Sequence, residues 1–374
     1  MIVANINHVE PGGKILRGMS GALSASMQAA GGIHPHSRRS SPDELRIGYV
    51  PLTDAAPLLV AHELGYFAKH GLRVRLVRAL GWGTIRDHVI YQELDAAHAP
   101  AGLLFSLLAG TQAPEADVRA IMLLNLQGNA ITLSKRLWQK GARDGKTLKQ
   151  VLRMESPRKP VLAVVSWNSS HHYLLRTWLQ RAGIDPDRDV RLTVLPPALV
   201  GDHMRMGQID GFCSGEPWNS AAVMSGDGWI AATSHDLAPG HVEKILLAPA
   251  ARMQARPEEF AALRQALLEA CEFCGKAKNR PQLAGMLHQH LFPKLPLRVV
   301  QNSLLGPCDL GAGRVAESSA FAIFHGKDSH LTTPAQAMDL IEQLESCRAL
   351  QLTPAQRRQA VAAYLNHRST VPLT

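Results

Sequence analysis

From residue 45 onward the hydrophobic positions switch between two periods, and the switching predicts the elements. LRIGYVPL (45–52) is an apolar run suited to a buried strand, and PLLVAHELGYFAKHGL (57–72) repeats its apolar residues at helical spacing and closes at Gly71. LRVRLVRAL (72–80) predicts a second strand in which Arg73, Arg75 and Arg78 alternate with apolar neighbours, as on a half-exposed edge. The rhythm goes on with a helix around IRDHVIYQEL, a short strand DAAHAP, a helix through GLLFSLLAG and a strand VRAIMLLNL. Strands and helices alternating at this length predict an α/β fold with a mainly parallel sheet.

After residue 158 the pattern restarts. KPVLAVVSW, VRLTVLP and IDGFCSG read as strands, with helices over SSHHYLLRTWLQRAG and LVGDHMRMGQ between them. Two such α/β units, joined by the extended stretches NAITLS and EKILLAP, predict two lobes with the chain crossing between them twice. The expected division is a disordered tail over 1–44, the first part of lobe 1 over 45–130, lobe 2 over 131–238, and the rest of lobe 1 with C-terminal helices over 239–374. ARPEEFAALRQALLEACEFCGKAK and TPAQAMDLIEQLESCRAL are the clearest of those helices, and they are expected to pack back onto lobe 1.

Composition narrows the function. Charged residues are 19% of the 374 and hydrophobic ones 46%, the balance of a globular chain long enough for two lobes. The formal charge of +9 suits an anionic partner, but the basic residues are scattered and lack interleaved aromatics, so no direct nucleic-acid surface is expected. Five cysteines are an odd number for a disulfide framework, and a reducing compartment is the simpler reading. Cys271 and Cys274 form a lone C-x-x-C on a helix with no second pair to complete a zinc site, so no metal or cofactor is expected. Lys14 and Arg17 precede MSGALSASMQAAGGI, which is too polar for a signal segment, and no stretch reaches membrane-spanning length; a cytoplasmic location without membrane contact is expected.

The groups that could carry chemistry sit at predicted strand ends, where open α/β sheets place their ligands. They occur in GYVPLTDAAPLLVAHELGYFAKHGL (48–72), GWGTIRDHVIYQELDAAHAP (81–100), LNLQGNAITLS (124–134), SSHHYLLRTWLQRAGIDPDRDV (169–190), GQIDGFCSGEPWN (207–219) and GHVEK (240–244). No nucleophile with an adjacent base stands among them, so an enzyme is not expected. Trp82 between Gly81 and Gly83 is a poor place to anchor a core indole and a good one for an indole aimed at a ligand. Alone, Lys244 would read as a solvated lysine, His171 as a helix cap, and Asn129 and Gly215 as loop residues.

In this order the strings resemble the nitrate- and bicarbonate-binding proteins of cyanobacterial and proteobacterial ABC importers, over residues 45 to about 345. The resemblance implies a two-lobed periplasmic-binding-protein-like fold (type II) with a helical C-terminal extension on lobe 1, and binding without catalysis. It also implies an anion held by Trp82, Asn129, His171, the Gly215 backbone N–H and Lys244. These residue types suit a planar anion, with an indole to stack or donate, an amide, an imidazole, a glycine permitting close approach and a balancing cation. Relatives carry Gln where this chain has Asn129, so contact through water or by Gln127 is the alternative. Bicarbonate-binding relatives carry an acid at the Lys244 position, where it helps hold calcium; a lysine implies nitrate or nitrite without metal. Lys244→Ala and Trp82→Ala are accordingly expected to weaken nitrate about tenfold or more with the fold intact, since a charged hydrogen bond contributes on the order of 1.5 to 3 kcal/mol.

Within that family the chain is most similar to the cytoplasmic nitrate/nitrite sensors, which hold an ANTAR-type RNA-binding antiterminator and release it on anion binding. The expected partners are therefore nitrate or nitrite and such an antiterminator, and the expected role is regulation of nitrate assimilation. The alternative is an exported substrate-binding receptor of a nitrate ABC importer.

Overall fold

Apolar runs bounded by turn residues become strands, and the amphipathic stretches helices, close to where their spacing places them. The computed structural model describes residues 44–154, 158–316 and 321–365. The tail expected over 1–44 lies outside them except for Glu44, which already opens the first strand.

The first run comprises β1 (Glu44–Tyr49), α1 (Ala56–Glu63), β2 (Arg73–Arg78), α2 (Trp82–Ile90), β3 (Ala96–Pro100), α3 (Ala101–Leu108) and β4 (Val118–Gln127). The second comprises β5 (Asn129–Ser134), β6 (Val161–Val164), α4 (Ser170–Arg181), β7 (Arg191–Val194), β8 (Gly211–Gly215), α5 (Trp218–Met224) and β9 (Gly228–Thr233). The chain then returns through β10 (Val242–Pro249). It continues into α6 (Pro257–Gly275), α7 (Leu297–Leu305), the hairpin β11 (Cys308–Gly311) and β12 (Arg314–Ala316), β13 (Ala322–Ile323), α8 (Pro334–Ser346) and α9 (Pro354–Tyr364).

Each lobe is built on one sheet: β13-β4-β10-β3-β1-β2 in the first and β7-β6-β8-β5-β9 in the second. β2 is an edge strand, and Arg73, Arg75 and Arg78 are exposed along it, as its alternation predicts. The expectation of mainly parallel sheets holds only for the β-α-β neighbours, β1 with β2 and β3, and β6 with β7 and β8. NAITLS and EKILLAP are more than connectors. They are interior strands, β5 and β10, each antiparallel to both neighbours. Antiparallel neighbours need no crossover helix between them, whereas the parallel pairs of each sheet are joined through helices. Both segments are buried along their whole length because strands flank them on two sides.

The two crossings are tied to each other. Gln127 and Gly128 turn with φ of 60° and 100°, and the Gln127 side chain accepts a hydrogen bond from the Gly240 N–H at 2.6 Å. The Gln127 N–H donates to the His241 carbonyl at 3.0 Å. These bonds fix the two connecting segments side by side.

Of the C-terminal elements, α6 packs on α1 and β4, and α8 and α9 on α3, which covers lobe 1. α7 and the β11–β12 hairpin reach further, to α5 and β9 of the second lobe, where Asn302 donates to Ser220 Oγ at 2.9 Å. Cys271 and Cys274 lie on the buried face of α6, where burial pushes both thiols far above their ordinary range, and all five cysteines are buried and unpaired. Among the described residues no helix is long and apolar enough to cross a membrane.

The lobes touch closely at the start of α3. A Cβ on Gly102 would stand 2.1 Å from the Asn168 carbonyl oxygen of the second lobe, and Asn168 donates to Ser106 of α3 at 2.8 Å. Gly102→Ala is therefore expected to force the lobes apart at this point and to cost about 1–3 kcal/mol, the usual range for overpacking. A urea titration of the variant checks this; an unchanged midpoint would mean that the contact is not tight in solution.

Candidate functional site

Between the lobes the strand ends deliver polar side chains into a buried cluster. β3 is wholly buried and otherwise apolar, yet carries His98 at its centre. Asp54 lies in the turn after β1, and Trp82 opens α2 behind Gly81. The register of β10 against β4 shifts on both sides of Lys244. Such an irregularity re-aims side chains that regular pleating would send to opposite faces, and here the consecutive Glu243 and Lys244 touch each other. The second lobe contributes Asn129 at the start of β5, opposite Gly215 at the end of β8, and Ser170 and His171 in the first turn of α4.

Lys244 is the centre of the cluster. Its side chain is fully buried, and its ammonium lies 2.7 Å from Asp54 Oδ2 and in contact with Glu243 Oε1. Asp54 also meets His98 Nε2 at 2.9 Å, close enough for an ion pair though off the hydrogen-bond angle. Glu243 accepts from Asn129 Nδ2 at 2.7 Å and from Ser170 Oγ, with His241 Nε2 at 3.3 Å and His171 Nε2 at 3.9 Å. The Trp82 ring lies 5.4 Å from the Lys244 ammonium and 5.6 Å from the His98 ring.

The charges are mutually enforced. Burial pushes the Asp54 and Glu243 carboxyls upward, but the adjacent Lys244 and histidines outweigh it and hold both below the usual carboxylate range. Burial would discharge Lys244, and the two carboxylates outweigh that as well, keeping it above its ordinary value. His171 lacks such compensation: burial lowers it to about 4, with Glu243 offsetting only part. Glu216, on the α5 side, is driven by burial up to about 7.

All five residues expected at the site, Trp82, Asn129, His171, Gly215 and Lys244, gather on this cluster. Their settings differ from the expectation in two respects. Lys244 does not stand ready to balance a ligand, because two carboxylates already meet its charge. The Asn129 amide nitrogen is taken by Ser170 and Glu243, leaving the amide oxygen without a partner. Asn129 and Gly215 are paired strand residues, not loop residues, and a Cβ on Gly215 would meet Asn129 Oδ1 and Leu52 at 3.6 Å. Gln127, the alternative amide, is turned to the crossing and bonded to Gly240. Trp218 packs edge-on against Phe292.

Sequence reasoning passed over Asp54, His98, Ser170, His241 and Glu243. Their signal was present: each lies inside one of the strings DAAPL, DAAHAP, SSHH and GHVEK, and a lone histidine in an alanine-rich strand is a polar group that burial must satisfy. The cluster does not satisfy every member. Trp82 Nε1 and both His171 ring nitrogens are buried without a hydrogen-bond partner. Buried polar atoms are nearly always paired, so unpartnered ones in an interlobe cluster make it a candidate place for a polar ligand. Among the described residues, no group of three or more His, Cys, Asp or Glu is placed to hold a metal ion.

Two α/β lobes joined by paired crossings, with a buried polar cluster at the strand ends between them, make up the two-lobed periplasmic-binding-protein type II fold, with helices packed on lobe 1. A solved structure described as the periplasmic nitrate-binding protein NrtA from Synechocystis superposes with a TM-score of 0.80 at 24% identity, covering 85% of each chain. The chain belongs to the NMT1-like family, whose model matches residues 38–288. It is 36% identical over 304 residues to the nitrate import ATP-binding protein NrtC of Synechocystis, spanning 80% of this chain and 45% of that one. It is 30% identical over 278 residues to the bicarbonate-binding protein CmpA of Synechococcus elongatus, 72% of this chain and 62% of that one. The chain thus spans about half to two thirds of the length of these relatives.

The expectation that Lys244→Ala spares the fold needs correction. Removing the ammonium strands two buried carboxylates, a change that costs about 3–5 kcal/mol when a buried pair is broken from one side. Adding Asp54→Asn should restore part of that loss, because one stranded charge is then gone. Urea midpoints of the parent, both single variants and the double variant check the coupling, which should exceed about 0.5 kcal/mol for residues in contact.

Proposed function

We propose that this chain binds nitrate or nitrite, without a metal, in the buried interlobe site and does no chemistry on it. The carrying observation is the set of unpartnered buried donors, Trp82 Nε1 and the His171 imidazole, beside the Lys244 ammonium. A planar, weakly hydrated, monovalent anion needs convergent donors, an aromatic wall and no general acid or base. The ammonium also stands between Asp54 and Glu243, the position a cation would take between two carboxylates, which favours an anion held without calcium. The named relatives transport or bind nitrate and bicarbonate, and that supports a small oxyanion as the ligand class.

Calorimetry of the purified protein in metal-free buffer is expected to show nitrate and nitrite binding, with bicarbonate and sulfate much weaker. Trp82→Ala should weaken nitrate about tenfold or more, as the loss of an interaction of about 1.4 kcal/mol or more requires. Lys135→Ala, exposed at the start of a helix in the second lobe, should bind like the parent. Calcium-dependent bicarbonate binding tighter than nitrate binding would overturn the assignment.

We also propose that the binding serves sensing in the cytoplasm, with an ANTAR-type antiterminator held in the anion-free state and released by nitrate. One observation favours this over an exported receptor: five buried, unpaired thiols suit a reducing compartment. Release requires the partner to favour the lobe arrangement that nitrate disfavours, and a coupling of about 1–3 kcal/mol gives roughly 5- to 150-fold weakening. Size-exclusion chromatography of the two proteins, with and without millimolar nitrate, should show co-elution lost on adding nitrate. Co-elution indifferent to nitrate, or none at all, removes the sensing role, and recovery of the native protein outside the cytoplasm establishes the exported receptor.

A further inference from the structure

The charge of the buried cluster is unsuited to receiving an anion as it stands. Lys244 brings one positive charge, and Asp54 at 2.7 Å and the touching Glu243 bring two negative ones. An anion added to this group carries charge that nothing with a fixed charge in the cluster offsets, in surroundings where desolvation makes uncompensated charge costly. The missing charge has to come from a group that can gain a proton.

Three histidines face the cluster. His98 lies against Asp54 at 2.9 Å, and His241 is bonded by Nδ1 to the Ala238 carbonyl at 3.1 Å with Nε2 at 3.3 Å from Glu243. His171 is fully buried, both its nitrogens lack partners, and Glu243 at 3.9 Å is beyond hydrogen-bond distance. Glu243, Lys244, Asp54 and His241 act on its ring electrostatically. It also sits in the first turn of the twelve-residue α4, whose free N–H groups and dipole favour an anion and oppose a lone imidazolium. An anion here would accept from His171 and cancel that opposition.

We propose that the anion enters this site together with one proton, which settles on His171, so that the protein binds nitrate as an anion–proton pair. The inference rests on the anion assignment made above and adds its regulation by pH. The sign follows from linkage. In the free protein burial holds His171 down at about 4, so it is neutral near pH 7; a bound anion raises it. Between the free and the bound value, each anion takes up about one proton, and affinity falls about tenfold for each unit that pH rises.

The test is calorimetric titration of nitrate into the full chain at pH 7 in two buffers of very different ionisation heat, with dissociation constants measured from pH 6 to 8. Net proton uptake on nitrate binding and an affinity that weakens as pH rises are expected, approaching about one proton and about tenfold per pH unit wherever the bound-state value of His171 lies above the working pH. His171→Gln, which keeps a donor but cannot gain a charge, should bind nitrate more weakly, with no proton uptake and a flat pH profile. Should that variant fail to fold, the proton count of the parent still decides. Nitrate binding with buffer-independent heat and a flat profile overturns the coupling alone, and undiminished uptake in His171→Gln overturns the place of the proton. Absence of nitrate binding by folded protein at pH 6 overturns the anion assignment, and this proposal with it.

Discussion

Burying the Lys244 ammonium between Asp54 and Glu243 is the constraint to which the rest of the interlobe region answers. Taking three charged groups out of water costs several kcal/mol per ion, and attraction repays it only where geometry is close and the remaining lone pairs are occupied. The surrounding residues meet that demand. His98 approaches Asp54, while Asn129 and Ser170 occupy the free side of Glu243. The irregular register of β10 is part of the same solution, because it lets neighbouring residues of one strand act as an ion pair. Asn129 and Ser170 belong to the second lobe and Lys244 to the first sheet, so meeting the charge also sets how the lobes face one another.

That closure is reinforced away from the charges. The Thr53 N–H donates to the Glu216 carbonyl at 2.7 Å, next to Asp54 on one lobe and beyond Gly215 on the other. Gly102 lets α3 meet the Asn168 carbonyl, and α7 with the β11–β12 hairpin carries lobe 1 over to α5 and β9. With the crossings joined through Gln127 and Gly240, relative motion of the lobes is directed to a short pair of connectors. A closed site on such connectors sheds water, which strengthens each polar contact within it. It also makes any unpartnered donor a strong preference for a ligand of the right shape and charge.

A consequence is that ligand charge and site charge cannot be considered separately. A lysine in a binding sequence invites a simple electrostatic pairing with an anion. Here the pairing has already been made within the protein, and what is left to recognise a ligand is the indole N–H, the imidazole and the helix start of α4. On the proposed assignment, selectivity between small oxyanions rests on donor placement and proton balance more than on the presence of a positive residue.

Local spacing along the chain predicts the α/β elements and their division into two lobes. Periodicity and strand-end placement are local properties, written in neighbouring residues such as LRIGYVPL or SSHHYLLRTWLQRAG, and the family strings picked out Trp82, Asn129, His171, Gly215 and Lys244, which the fold brings together. That NAITLS and EKILLAP are interior antiparallel strands follows from the folded arrangement, since strand direction depends on which neighbours a segment meets. The folded arrangement also decided the state of Lys244. A single lysine reads as a free cation along the chain, and its neutralisation needs Asp54, distant in sequence, together with a register shift that turns Glu243 to the same side. Burial and pairing are sums over long-range contacts, and no window of sequence contains them.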